Sequence, residues 1–194
     1  MTETNPITQF VSAVERAAAR DVDTTPAALA TADADGRPSV RMVLLRGVDE
    51  RGFVFHTNYQ SRKAHELEAN PYGALCFHWP TLEEQIRVEG PVERLPADES
   101  DAYFAGRPRG SQLGAWASAQ SEILGSRQQF EDEFAATEAR FAGQPVPRPP
   151  FWGGIRIRPI EIEFWADGNF RLHDRFRWSR NSPENPWLTQ RLYP

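Results

Sequence analysis

The chain has one cysteine, Cys76, one lysine, Lys63, and no apolar run approaching the roughly 20 residues needed to cross a bilayer. A lone cysteine excludes an intrachain disulfide, and with only four scattered histidines it leaves no zinc or iron–sulfur spacing. Cys76 falls within an apolar strand pattern that would keep its thiol neutral and inert. There is no Gly-x-Ser-x-Gly elbow for a nucleophilic serine, and no Gly-x-Gly-x-x-Gly follows a strand. A net charge of −5 disfavours general attraction to nucleic acid. The polar start, Met1 to Asn5, has no secretory pattern, so a cytoplasmic location is expected. These absences exclude metal, nucleic acid and membrane as the expected partners and leave small anions as the favoured class.

What is present fits one globular unit. With 194 residues the chain can bury one substantial core, and a single domain over 1–194 is expected. Ile7, Phe10, Val11, Val14 and Ala17 recur at helical spacing and predict a helix over about 5–20. Strands are expected over 27–32, 38–45 and 52–57, joined by acidic-glycine turns at Asp35-Gly36 and before Gly52. A short helix capped by Ser61 and stopped by Asn70-Pro71 precedes strands over 72–79 and 84–95. Helices are expected over 96–106 and 127–141, the second turning Phe130, Phe134 and Phe141 inward. Strands over 154–158, 160–165, 170–178 and 187–193 close the chain. Many short strands with helices in the long connections predict a mainly β protein, a barrel with peripheral helices.

Arginine dominates the basic residues, and it gathers in groups. In an extended run over 170–178, Arg171, His173 and Arg175 would point to one face, beside Trp165 as a stacking wall. Two fixed charges around a group that titrates near neutrality suit an anionic, proton-exchanging ligand. Arg41 and Arg46 bracket an apolar strand, and Arg62-Lys63 sit beside the free amides of a helix N-terminus, an arrangement suited to phosphate. Cations there oppose the helix dipole unless an anion is present. Tyr103, Arg107 and Ser111 recur at four-residue spacing and could converge on a second phosphate, although Pro108 interrupts the helical geometry. Gln120 and Ser121 could add neutral hydrogen bonds. Read singly, His56, His65 and His78 are ordinary strand or helix residues.

Five motifs in order, Arg41-Met42-Val43-Leu44-Leu45, Ser61-Arg62-Lys63-Ala64-His65, Arg107 to Trp116, Phe151-Trp152-Gly153-Gly154, and Glu163-Phe164-Trp165 with Arg171 to Arg175, resemble the pyridoxamine 5′-phosphate oxidase family. The likeness runs from about Ala27 to Pro194. It implies the FMN-binding split-barrel fold and a homodimer whose subunits share each pocket. It implies that FMN is held by Arg41, Met42, Val43, Leu44, His56, Thr57, Arg62, Lys63 and Gln85, with Gln120, Ser121, Trp165 and Arg175 closing the site. Arg46, Tyr103, Arg107 and Ser111 would then meet the phosphate of a small pyridine substrate, with Arg171 and His173 over its ring as the catalytic pair. The implied reaction oxidises pyridoxamine or pyridoxine 5′-phosphate to pyridoxal 5′-phosphate and reduces O2 to hydrogen peroxide. The chain departs from the family pattern twice. Arg46 stands where the family usually has lysine, and a basic, tyrosine-containing lid segment is expected to be missing before the first helix. Related phenazine-pathway oxidases share the fold and cofactor, so a phenazine precursor is the same-fold alternative. A flavin- or pyridoxal-phosphate-binding module without turnover is the alternative of a different class.

Overall fold

The computed structural model describes residues 5–194. Helix α1, Pro6–Ala18, begins where the Asn5 side chain accepts from the Ile7 amide at 2.8 Å, with proline in the first turn. Strands β1 (Pro26–Ala32), β2 (Pro38–Asp49) and β3 (Gly52–Asn58) form an antiparallel meander. The Asp33 carboxylate accepts from the Asp35 and Arg37 amides and so shapes the first turn. Helix α2 (Arg62–Ala69) leads to β4 (Tyr72–Trp79) and β5 (Glu84–Arg94). Three helices follow, α3 (Ala97–Ala105), α4 (Arg109–Ala117) and α5 (Arg127–Arg140). Strands β6 (Trp152–Ile157), β7 (Glu161–Ala166), β8 (Asp174–Ser179) and β9 (Leu188–Leu192) complete the fold.

The strand order β4-β1-β2-β3-β6-β5, with β5 pairing back to β4, closes six strands on themselves. Strand β5 makes both the closure and the split. Its edge from Glu84 to Pro91 pairs with β4 throughout, while its other edge pairs with β7 over Glu84–Glu89 and with β6 over Val92–Arg94. The switch falls at Gly90-Pro91. A Cβ on Gly90 would lie 2.1 Å from the Arg158 carbonyl oxygen, so only glycine lets the two backbones cross there. Beyond β7 the sheet continues through β8 and β9 as an open flap.

Alternation builds the core. Leu29, Leu75, Val88, Ile162 and Trp178 occupy one cross-strand row and are buried. Helix α1 inserts Phe10 among them, edge-on to Phe53 at 4.8 Å and to Phe77 at 5.0 Å between ring centroids. A second apolar cluster joins Phe104, Leu113, Phe141, Val146 and Trp152 under the three middle helices. On the opposite sheet face Val40, Met42 and Leu44 are exposed, and Cys76 is half-buried beside Arg87. Burial pushes the Cys76 thiol up, with Arg87 opposing, in keeping with an inert thiol.

Three expectations need correction. Pro108 does not end the local structure; it stands at the N-cap of α4, an unanticipated helix, because proline's fixed φ suits a helix start. Helix α5 buries none of its own residues: Phe141, at its C-cap, enters the second cluster as expected, but Phe134 only leans on it and Phe130 packs against Phe134. The run from Phe170 is not a strand until Asp174. Gly90→Ala is expected to lower unfolding free energy by about 1–3 kcal/mol through overpacking, read as a reduced urea midpoint with an unchanged slope.

Candidate active site

The turn from β3 into α2 gathers one group of polar side chains. Ser61 holds the N-cap position, but its hydroxyl makes no capping bond; it donates instead to the Asn58 carbonyl at 2.7 Å. That leaves the Ser61 oxygen free to accept from Lys63 Nζ at 3.2 Å. The same ammonium donates to Thr57 Oγ1 at 3.2 Å and to Gln120 Oε1 at 2.9 Å. Gln120 arrives from the segment after α4, which the Asn58 amide ties down through the Ser118 carbonyl. Lys63 therefore has neutral partners only. Burial, with Arg41 nearby, lowers its pKa to about 8, against a smaller opposing pull from Glu66. The ammonium's three N–H groups thus reach only neutral oxygens, and its charge is not balanced by a bonded carboxylate.

Glu66, absent from the sequence reading, organises the neighbouring arginines. It is 5% exposed; one carboxylate oxygen accepts from Arg62 Nε at 2.8 Å, the other from Arg41 at 2.9 Å and from Ser39 at 2.6 Å. Thr31 donates to it as well, and Arg41 also contacts Thr31 and Ser39. Burial raises the Glu66 carboxyl, but the bonds from Ser39, Thr31, Arg62 and Arg41 outweigh it and bring it down to about 2. The Arg62–Glu66 spacing of four was the one signal available in the sequence.

A cavity of about 740 Å³ forms a second group, lined by Arg46, His56, Tyr103, Arg107, Ser111 and Trp152. The register between β2 and β3 shifts between Leu45 and Gly47, so Arg46 occupies a β-bulge, a device that re-aims a side chain. The start of α4 after Pro108 brings Ser111 back toward Tyr103 on α3, so the expected convergence exists. Three rings stack nearly parallel: His56 on Tyr103 at 3.8 Å and 11°, and on Trp152 at 5.2 Å and 15°. The Arg107 guanidinium lies 4.5 Å over Trp152, and one of its terminal nitrogens is buried without a hydrogen bond. Burial lowers the Arg107 pKa, with Arg46 adding and Tyr103 opposing. Burial first, then Arg107 and Arg46, pushes His56 down to about 4.

The third group lies on the flap. Gln85, Trp165 and Arg175 are direct cross-strand partners and share a sheet face. The Trp165 and His173 rings are 4.6 Å apart, and His173 Nδ1 sits 2.9 Å from Asp167 Oδ1 and 3.3 Å from the Gly168 nitrogen. Arg175 donates to buried Glu163 at 2.8 and 3.1 Å and to the Tyr193 carbonyl at 3.0 Å; the Glu163 bonds raise its pKa. Glu163, part of the Glu163-Phe164-Trp165 motif but given no role there, also binds Arg87. Arg171 departs from expectation. It lies in a tight 3-10 turn, Asn169–Arg171, with φ of 65°, and is exposed, so no strand aligns it with His173 and Arg175. A Cβ on Gly168 would meet the Leu172 carbonyl at 2.1 Å, which shows how sharply the backbone folds back there.

The predicted residues thus separate. Thr57, Lys63 and Gln120 meet directly, with Arg41 and Arg62 held nearby through Glu66. Ser121, at φ 81°, shares a surface cleft with Arg62. Val43 is buried in the core, Met42 is exposed on the outer face, and Leu44 reaches the large cavity. His56 also lines that cavity, away from the lysine. None of Gln85, Trp165, Arg171, His173 or Arg175 does so.

Known proteins align with this arrangement. The pyridoxamine 5′-phosphate oxidase family model matches residues 16–141, and the pyridoxine 5′-phosphate oxidase C-terminal dimerisation region matches residues 152–194. The pyridoxine/pyridoxamine 5′-phosphate oxidase of Rubrobacter xylanophilus is 61% identical over 166 residues, covering 86% of this chain and 76% of the relative. That of Anaeromyxobacter dehalogenans is 56% identical over 191 residues, covering 98% and 96%. Among solved structures, PhzG from Burkholderia lata in complex with tetrahydrophenazine-1-carboxylic acid superimposes with a TM-score of 0.93 at 34% identity, covering 100% of this chain and 94% of that one. A pyridoxamine 5′-phosphate oxidase-related FMN-binding protein from Nostoc punctiforme superimposes at 0.77 over the whole of both chains, at 18% identity, a likeness of fold. The chain has the FMN-binding split-barrel fold and belongs to the pyridoxamine 5′-phosphate oxidase family.

Proposed function

We propose that this protein is a homodimeric, FMN-dependent oxidase that converts pyridoxamine or pyridoxine 5′-phosphate to pyridoxal 5′-phosphate. The observation that carries the reading is the cavity in which Arg46 and Arg107 stand without any ion pair among the described residues, beside Tyr103 and Ser111. Two unpaired guanidiniums with a phenol and a hydroxyl match a phosphate ester and have no use in an apolar pocket.

The donor set around Lys63 fits the phosphate tail of FMN: an uncompensated ammonium, with two hydroxyls and the Gln120 amide in reach. Arg41 and Arg62, half-neutralised by Glu66, would present their remaining N–H groups to the same phosphate. Trp165, Gln85 and Arg175 would close the flavin site, and Arg171 and His173 would orient the substrate ring. When bound, FMN supplies two-electron redox chemistry, with dioxygen as final acceptor and hydrogen peroxide as product. The protein contributes position and charge. Arg171 would orient the substrate and polarise it through its planar guanidinium. His173, with Nδ1 toward Asp167, can exchange a proton through Nε2.

The separation of the flap group from the large cavity supports a pocket assembled by two subunits, and the match to a dimerisation region agrees. The two apolar clusters share one continuous sheet, which supports a single domain. Among the described residues no helix is long and apolar enough to cross a membrane, and a cytoplasmic location belongs to the same proposal. The similarity to PhzG favours one second reading, an oxidase of a larger aromatic acid.

Incubating FMN-loaded protein under air with pyridoxamine or pyridoxine phosphate should yield peroxide and the aldehyde; neither product would defeat the reading. Lys63→Ala is expected to weaken FMN binding roughly 10–100-fold, the value of a charge-assisted hydrogen bond, as read by flavin fluorescence. Arg171→Ala should lower turnover with FMN affinity retained, and equal losses in both variants would show the sites misassigned. Because anion binding favours protonated Lys63, FMN affinity should hold below pH about 8 and fall above it in the wild type. Lys63→Ala should abolish that slope.

A further inference from the structure

His56 is unexplained by packing. Its ring is held flat against Tyr103 and Trp152, yet both nitrogens are buried without a hydrogen-bond partner. Leaving buried polar groups unpaired is destabilising, a cost that phenylalanine would avoid at the same place. The ring, with Arg46 and Tyr103, also forms the partition between the large cavity and a smaller cleft of about 230 Å³.

Every charged neighbour across these two spaces can be named. The small cleft contributes Asp49, Arg51, Glu99 and Arg156. These neutralise one another: Arg51 binds Asp49 at 2.7 Å and Glu99 at 3.0 Å, and Arg156 binds Glu99 at 3.3 Å. The large cavity contributes Arg46, Arg107 and the Tyr103 phenol. The charge facing the imidazole therefore comes from the Arg107 and Arg46 guanidiniums, with Asp23 drawing on Arg46 from farther off; burial first, and then these two cations, lower the ring's pKa to about 4. A dianion between them would reverse that field.

We propose that His56 is the proton-coupled element of this anion site: the imidazole takes one proton from solvent when a dianionic phosphate ester seats between Arg46 and Arg107. The coupling is electrostatic and needs no displaced group, since the ligand brings two negative charges and the ring adds one positive charge. It makes His56 a third, conditional cation of the cavity, selective for a doubly charged headgroup over a singly charged carboxylate. The proposal rests on the reading of this cavity as a phosphate site.

Sulfate is the probe, because it remains a dianion where phosphate itself titrates. In the FMN-loaded enzyme, sulfate should bind about tenfold more tightly at about pH 5.5 than at about pH 7.5, with net proton uptake in calorimetry across buffers of different ionisation heat. His56→Phe, which keeps a stacking ring, should bind sulfate with no such slope. Should that variant fail to fold, the imidazole C–H resonances of the wild type decide: sulfate should raise one histidine's midpoint by about 2.5 units, the shift a tenfold pH effect requires of a ring that starts at about 4. A wild-type affinity flat with pH, a slope that survives in His56→Phe, or an unmoved midpoint would overturn the proposal. Sulfate binding without a slope defeats only the role of His56, whereas no sulfate binding together with no peroxide from the phosphorylated substrates defeats the phosphate reading beneath it.

Discussion

A buried carboxylate shared by two guanidiniums is the interaction on which the rest of this molecule depends. Glu66 fixes Arg41 and Arg62, and Glu163 fixes Arg87 and Arg175. Each is at most 5% exposed, and such a site is tolerable only because every buried charge is matched and hydrogen-bonded. The pairing sorts the basic residues into two kinds. Those bound to the acids are positioned and partly neutralised. Among the described residues Lys63, Arg46 and Arg107 stand in the two polar groups without an ion pair, which supports the anion sites proposed there.

The split barrel makes this sorting possible. Strand β5 carries Gln85 and Arg87 on one face and Ile86 and Val88 on the other, so one strand serves both the core and the flap. Closure through β4 and β6 creates a rigid floor from which β2 and β3 present Arg46 and His56. The helices supply the opposite wall. Tyr103, Arg107 and Ser111 come from two helices that meet at a proline, and their positions are as fixed as the second apolar cluster beneath them. The flap carries its own aromatic and basic group outward, which accords with a pocket completed by another subunit.

Much of this was legible in the residues. The strand alternation, the helix stripe of Ile7, Phe10 and Ala17, and the acidic-glycine turns all followed from local periodicity. The Tyr103/Arg107/Ser111 convergence could be read from spacing, although Pro108 obscured the helix that achieves it. The Arg171/His173/Arg175 row misled, because alternation holds only where a strand exists, and the backbone at Phe170 and Arg171 enters the left-handed region instead. Glu66 and Glu163 were invisible as site residues, since burial of a carboxylate depends on partners far away in sequence.

The sequence by itself determined which segments would be strands, which faces would be apolar, and which residue types were available to hold phosphate. Those properties are local, set by periodicity, capping and side-chain chemistry. Only the tertiary structure decided which cations are free, that His56 belongs with Arg46 and Arg107 rather than with Lys63, and that β5 divides between two sheets. Those properties depend on contacts between residues tens of positions apart, where burial and the neighbouring charge, and not the residue type, set what a side chain can do.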